Sequence, residues 1–195
     1  MNIQLPTIWN SGWVEVICGS MFSGKTEELI RRMKRAQIAK LKIQIFKPKL
    51  DTRYSEEHVT SHSSLQERAF PISNPEEILN LLEDDTRVVG IDEAQFFSDS
   101  LVDVCHRLAN RGLRVLVAGL DLDYRAMPFG PMPTLMATAE FVTKMSAICT
   151  QCGNPASRSQ RIAHNTGEEG ENQVLVGAQE SYEARCRRCY LPPSI

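Results

Sequence analysis

The stretch GSMFSGKT, residues 19–26, sets two glycines, a lysine and a threonine directly behind the apolar run WVEVIC. Its spacing is G-x-x-x-x-G-K-[ST], a pattern whose chemistry is phosphate binding when a strand precedes it and a helix follows. Gly19 and Gly24 allow a tight wrap, so the N–H groups through Ser20, Met21, Phe22 and Ser23 and the positive end of the helix face phosphate oxygens. Lys25 is spaced to reach the β- and γ-phosphates of a nucleotide, and Thr26 to offer its hydroxyl to magnesium.

A phosphate loop needs a carboxylate to help hold that metal, and RVVGIDEAQFF supplies one where a strand ends. Open α/β sheets place their ligands at such ends. Asp92 is the residue for magnesium, directly or through water, and the adjacent Glu93 diverges from it and is left free. If Glu93 activates water, the protein is an ATPase or motor; if it accepts a proton from an alcohol, the protein is a kinase. The loop and the two acids leave both open.

Four of the six cysteines form two C-x-x-C pairs, CTQC at 149–152 and CRRC at 186–189. Each pair can turn both sulfurs toward one ion, and two pairs complete a tetrahedral zinc site. With Cys149, Cys152, Cys186 and Cys189 filling all four positions, the zinc is structural, because no position remains for a substrate. The 33 residues between the pairs are polar and glycine-containing, with a short apolar end, VLVG. Zinc at the base of a loop this long argues for a lid. Phe96 and Phe97 follow Glu93, Tyr124 follows a later strand, and Tyr182 lies near the end of the lid. Singly each reads as core, and together they can stack a planar base.

These residues must be positioned by elements that the periodicity supplies. WVEVIC, KIQIFKP, RVVGID and RVLVAGL read as strands. Between them, helices are predicted from Lys25 to near Lys40, over NPEEILNLLE with Asn74 as cap and Pro75 at its first position, and from Ser98 or Asp99 to a stop at Gly112. A further helix is predicted from Thr134 to about Thr143. Leu50 to Arg68 is polar and without period. Alternating strands and helices predict a parallel sheet covered on both faces. The periodicity ends near Cys149, which divides the chain into a nucleotide-binding α/β domain, 1–148, and a zinc-binding domain, 149–195. Cys18 in its strand and Cys105 on its helix read as buried thiols.

The composition fits a globular protein: 195 residues, 42% hydrophobic, 24% charged, formal net charge −2. No apolar run is long enough for a membrane helix, and the N-terminus has no signal-peptide pattern, so a cytoplasmic place is expected. The basic run RRMKRAQIAKLK reads as a solvated helix face, and the acidic balance argues against a nucleic-acid partner. A DNA-dependent ATPase with a zinc ribbon is the competing class. A single core and the absence of a second motor domain stand against it. Intact Lys25 and Glu93 stand against a non-enzymatic zinc module.

Taken together, the phosphate loop, DEAQFF, GLDLDYRAMPFG, the cysteine pairs and VLVGAQESYEARCRRCY resemble the type II thymidine kinases, in the family's order and from near Trp13 to near Tyr190. The resemblance implies a RecA-like core with a zinc-clamped lasso loop, and transfer of the γ-phosphoryl of ATP to the 5′-hydroxyl of deoxythymidine. It also implies a homotetramer and feedback inhibition by dTTP. By the same resemblance Gly19 to Thr26 bind ATP, Asp92 and Gln95 belong to the ATP and magnesium site, and Glu93 is the general base. Phe96, Leu120, Tyr124, the lasso residues Val174, Leu175, Val176 and Gly177, and Tyr182 surround the thymine. Asp51 and Arg53 fall near the phosphates. Ala178 departs from a second glycine that the family often carries after Gly177.

Overall fold

In the computed structural model the described residues are 11–49, 69–162 and 181–193. The main body runs β1 (Trp13–Gly19), α1 (Lys25–Ile38), β2 (Lys42–Pro48), β3 (Phe70–Ile72), α2 (Glu77–Leu81), β4 (Thr86–Ile91), α3 (Ser100–Asn110), β5 (Arg114–Gly119), α4 (Met132–Thr138) and β6 (Phe141–Met145). Its six strands form one parallel sheet in the order β3-β2-β4-β5-β1-β6. This is the α/β core that the alternation of strands and helices predicts.

The sheet is covered on both faces, which is why β1 is apolar almost throughout. Ile17 points to one face, where Leu29, Met33 and Ala36 of α1 pack with Ile45, Val88, Leu116 and Ala118. Val14, Val16 and Cys18 point to the other, against Leu101, Val104, Cys105 and Leu108 of α3. A period of two on the strand meets a period of 3.6 on each helix. Cys18 and Cys105 are buried as expected, and burial pushes their thiols up to about 11 and about 12. The basic run of α1 is a largely exposed face, with Arg31, Lys34 and Arg35 in solvent.

Two helices differ from expectation. Over NPEEILNLLE only Glu77–Leu81 is α-helical. The Asn74 side chain forms no cap; instead the Glu77 carboxylate reaches back to accept from the Ser73 and Asn74 amides at 3.0 and 2.9 Å, the return half of a capping box. The helix predicted from Thr134 to about Thr143 occupies Met132–Thr138, and Phe141–Met145 is a strand. Phe141, Val142 and Thr143 favour extended backbone, and the free edge of β1 supplies hydrogen bonds that a helix end would lack. β3 is a second strand that periodicity did not reveal, since three residues carry too little pattern.

Beyond the main sheet, β7 (Ala147–Ile148) pairs with β8 (Pro155–Ala156), and β9 (Arg158–Arg161) pairs with β10 (Tyr182–Arg185), both antiparallel. They enclose a small separate core of Ala147, Cys149, Ala156, Ala184 and Cys186. Among the described residues no helix is long and apolar enough to cross a membrane.

Candidate active site

The phosphate loop connects the C-terminal end of β1 to the N-terminus of α1, and its glycines are there for backbone reasons. Gly19 has φ 145°, and a Cβ on it would fall 2.4 Å from the Met145 carbonyl oxygen. Gly24 caps α1 in the left-handed region with φ 82°. A side chain at either would strain or block the arch. Phe22, at φ 64°, is left-handed too, and its ring is half exposed. Within the arch, Lys25 Nζ donates to the Ser20 carbonyl at 2.8 Å. Burial lowers the Lys25 pKa, opposed by the charges of Glu93, Asp92 and Asp121.

β4 lies two strands from β1, with β5 between, so three strand ends converge on the loop. The Thr26 hydroxyl donates to both oxygens of Asp92, at 3.3 and 3.2 Å. Burial, then the neighbouring Glu93 charge, pushes the Asp92 carboxyl up to about 7. A half-buried carboxylate beside a hydroxyl, where Asp92 and Glu93 share the charge of Lys25, fits a hard divalent cation, which takes oxygen ligands.

Glu93 stands in the left-handed region at φ 51°, as the N-cap of a 3₁₀ turn over Ala94–Phe96. Its own amide donates to Asp92 Oδ1 at 3.0 Å, and this turns the two carboxylates apart. Backbone held in this region by a non-glycine residue costs about 1 kcal/mol or more and persists where the surroundings enforce it. Part of the enforcement is Gln95, buried at 2% exposure, whose Nε2 donates to Glu93 Oε2 at 2.6 Å while its Oε1 accepts from the Leu120 amide at 2.9 Å. Gln95 thus stands behind Glu93, its amide engaged by the protein itself.

Phe96 is half-buried and packs edge-on against Phe129, ring centres 5.7 Å apart. Phe97 is core. Leu120 is buried at the end of β5 beside Gln95. The Tyr124 ring lies between the guanidiniums of Arg125 and Arg161, 5.5 and 5.3 Å from its centre. Its carbonyl accepts from the Tyr190 hydroxyl at 2.7 Å. Tyr182 is buried on β10, opposite Arg161. Asp51, Arg53 and Val174, Leu175, Val176 and Gly177 lie outside the described residues.

The cysteine pairs come together at the base of the smaller core. The four sulfurs of Cys149, Cys152, Cys186 and Cys189 all lie within 4.8 Å of one another, and those of Cys152 and Cys186 are 3.6 Å apart. Zinc–sulfur bonds of about 2.3 Å along tetrahedral directions set sulfurs about 3.8 Å apart, so the cluster fits zinc. The backbone amide of Asn154 is the largest influence lowering the Cys152 pKa, and the Asn154 side-chain amide also donates to that sulfur at 3.4 Å. Such donors favour the thiolate that a metal requires.

Two features escaped the sequence. Ser159 and Ala156, beside the cysteine cluster, hydrogen-bond the phosphate loop, so the Met21 N–H, expected to face phosphate with the other loop amides, donates to Ser159 Oγ instead. Asp121, at 4% exposure just past β5, pairs with Lys144 of β6 at 2.8 Å, across the end of β1. Asp121 follows an apolar strand at a ligand-bearing sheet end, a signal already present in RVLVAGLD.

The arrangement puts a nucleotide-phosphate loop, a metal-competent carboxylate and a separately held second carboxylate at one sheet end. The sequence profile of the family described as thymidine kinase matches residues 12–190. A thymidine kinase of Rhodothermus sp. (strain ITI 518) is 59% identical over 182 residues, covering 93% of this chain and 83% of that protein. A thymidine kinase of Bdellovibrio bacteriovorus is likewise 59% identical, over 189 residues, 97% of this chain and 90% of that protein. On a profile match from end to end of its folded body and relatives of this closeness, the chain belongs to the thymidine kinase family.

Proposed function

We propose that this chain transfers the γ-phosphoryl group of ATP to the 5′-hydroxyl of deoxythymidine, giving dTMP and ADP. The observation that carries the reading is the divergence of two adjacent acids, with Asp92 on the Thr26 hydroxyl and Glu93 on Gln95. The loop amides and Lys25 bind and neutralise the phosphates, which is most of what phosphoryl transfer asks of a protein. Thr26 and Asp92 would hold magnesium, which supplies charge neutralisation on the phosphate oxygens. Glu93 takes the proton of the 5′-hydroxyl as that oxygen bonds to the γ-phosphorus and the bond from the γ-phosphorus to the β–γ bridging oxygen breaks. Cys149, Cys152, Cys186 and Cys189 would hold a structural zinc ion at the base of the lasso.

On this reading Phe96, Leu120, Tyr124 and Tyr182 form the thymine side, with Val174 to Gly177 as the lasso that covers it and excludes water. Asp51 and Arg53 lie by the phosphates. Deoxyuridine, lacking one methyl, is a weaker substrate, since a methyl in an apolar pocket is worth about 1 to 3 kcal/mol. The division near Cys149 separates the nucleotide-binding domain from the zinc and lasso domain. The active form is a cytoplasmic homotetramer inhibited by dTTP, as the family resemblance implies.

The test is incubation with ATP, magnesium and a panel of nucleosides, scored for monophosphate and ADP. Stoichiometric dTMP and ADP are expected from thymidine, with a lower rate on deoxyuridine. ATP hydrolysis that DNA stimulates and thymidine does not would replace the kinase with a motor.

A further inference from the structure

The phosphate loop is tethered from outside the nucleotide fold. The backbone N–H of Met21, third residue of the loop motif, donates to Ser159 Oγ at 3.1 Å. One residue earlier, the Ser20 hydroxyl donates to the Ala156 carbonyl at 3.3 Å. Ser20, Ala156 and Ser159 are 2%, 0% and 4% exposed, so the Ser20 bond is shielded from competing water and the Met21 bond is partly shielded, on its Ser159 side. Ala156 and Ser159 stand on β8 and β9, close to the cysteine cluster. Ser159 pairs across β9 and β10 with Ala184, which packs in the same small core as Cys149 and Cys186.

A loop of converging N–H dipoles is electrostatically unfavourable until an anion fills it, and this one also carries left-handed residues at Phe22 and Gly24. Holding the Met21 amide on Ser159 Oγ gives the arch a fixed point outside the nucleotide fold. We infer that Ser159 is a positioning residue for the phosphate loop, through which the folded cysteine module holds that loop in its ATP-accepting shape before ATP arrives. The cysteine module thus also sets the donor subsite. This rests on the reading of the loop as the ATP site.

The test uses the full-length, zinc-loaded chain and Ser159→Ala, with AMP-PNP binding measured by calorimetry beside steady-state kinetics, zinc content and thermal unfolding. Losing one partly buried hydrogen bond is expected to weaken AMP-PNP binding and raise KM for ATP about five- to tenfold. KM for thymidine is expected to stay within about twofold, with zinc content unchanged. Unaltered AMP-PNP affinity overturns the inference. So does loss of zinc or an equal weakening toward both substrates, since either makes Ser159 a general framework residue. A parent chain that binds no AMP-PNP would instead overturn the ATP reading and leave the tether untouched as a structural fact.

Discussion

Gln95 Nε2 donates to Glu93 Oε2 at 2.6 Å, from a side chain buried at 2% exposure. A Cβ on Gly119 would lie 2.9 Å from Gln95 Oε1, and one on Gly130 would lie 2.4 Å from its carbonyl oxygen. Two glycines from separate segments therefore make the space that Gln95 fills. Its second bond, to the Leu120 amide, fixes the orientation of its own amide group.

If Gln95 positions Glu93, replacing it should damage turnover more than binding. Glu93→Gln sets the full effect, a fall in kcat of about a hundredfold or more with AMP-PNP affinity kept. Gln95→Ala should lower kcat by about tenfold to a hundredfold, with KM for ATP little changed, because a misplaced base costs rate without touching the phosphate loop. Steady-state kinetics with both substrates saturating, then each varied, separates the two parameters. A rise in KM for ATP at constant kcat would instead place Gln95 at the ATP site.

Much of this geometry was legible because the parts that carry it are local. The phosphate loop is eight consecutive residues between a strand and a helix, and Asp92 and Glu93 close an apolar run. α1 and α3 are long enough for their period to appear. What stayed hidden depends on strand order. The Met21 to Ser159 bond joins residues 138 apart, and the Asp121 to Lys144 pair exists only because β5 and β6 flank β1. The helix predicted from Thr134 to about Thr143 runs into the first three residues of β6 because an edge strand buries little, and Phe141 and Val142 are nearly half exposed.

The cysteine cluster predicts a metal requirement that can be measured apart from activity. One zinc per chain is expected by elemental analysis. Cys152→Ser should lose it, since a hydroxyl replaces a thiolate in a site with all four positions used. The small core around Ala184 and Cys186 has few other apolar contacts to hold it. Loss of zinc should therefore raise protease sensitivity near β8 to β10 while near-native helix content persists in the main body. Full zinc retention by Cys152→Ser would remove that residue from the ligand set.

On the α1 face of the sheet, Glu15 makes a prediction about pH. Buried on β1, its carboxylate accepts from Arg114 Nε at 2.6 Å, Trp13 Nε1 at 2.7 Å and an Arg32 guanidinium nitrogen at 2.8 Å. Burial, the largest influence, raises its pKa, but the bonds from Arg114, Trp13 and Arg32 outweigh it and the net shift is downward. Glu28, bonded first to Arg31 and then to Arg32, is lowered to about 2. Carboxylates with depressed folded values stabilise fully above about 4.5, their ordinary value, and lose that contribution as pH falls toward about 2. Glu15→Ala leaves Arg114 without its carboxylate, while Arg32 keeps Glu28, and should cost about 2 to 3 kcal/mol near neutral pH. Urea midpoints of the variant and the parent should converge as the pH falls below about 4.5 and Glu15 takes up its proton; a constant gap would remove Glu15 from the acid sensitivity.

Asp121 and Lys144 give a prediction linking an ion pair to the phosphate loop. Asp121 is buried and Lys144 is half exposed, and their 2.8 Å contact lacks the alignment of a hydrogen bond. The same Asp121 charge acts on Lys25. With Lys144→Met, a buried carboxylate loses its nearest cation, and Lys25 is the remaining positive group drawn to it. Lys25 then competes between Asp121 and phosphate, so KM for ATP should rise about tenfold and stability should fall by about 1 to 3 kcal/mol. Asp121→Asn in the Lys144→Met background removes the stranded charge and should restore most of both. The double-mutant cycle on KM for ATP reads the coupling directly, since the pair touches and is not additive. Additive effects, with no recovery in the double variant, would show that Lys144 and Asp121 act on the loop separately.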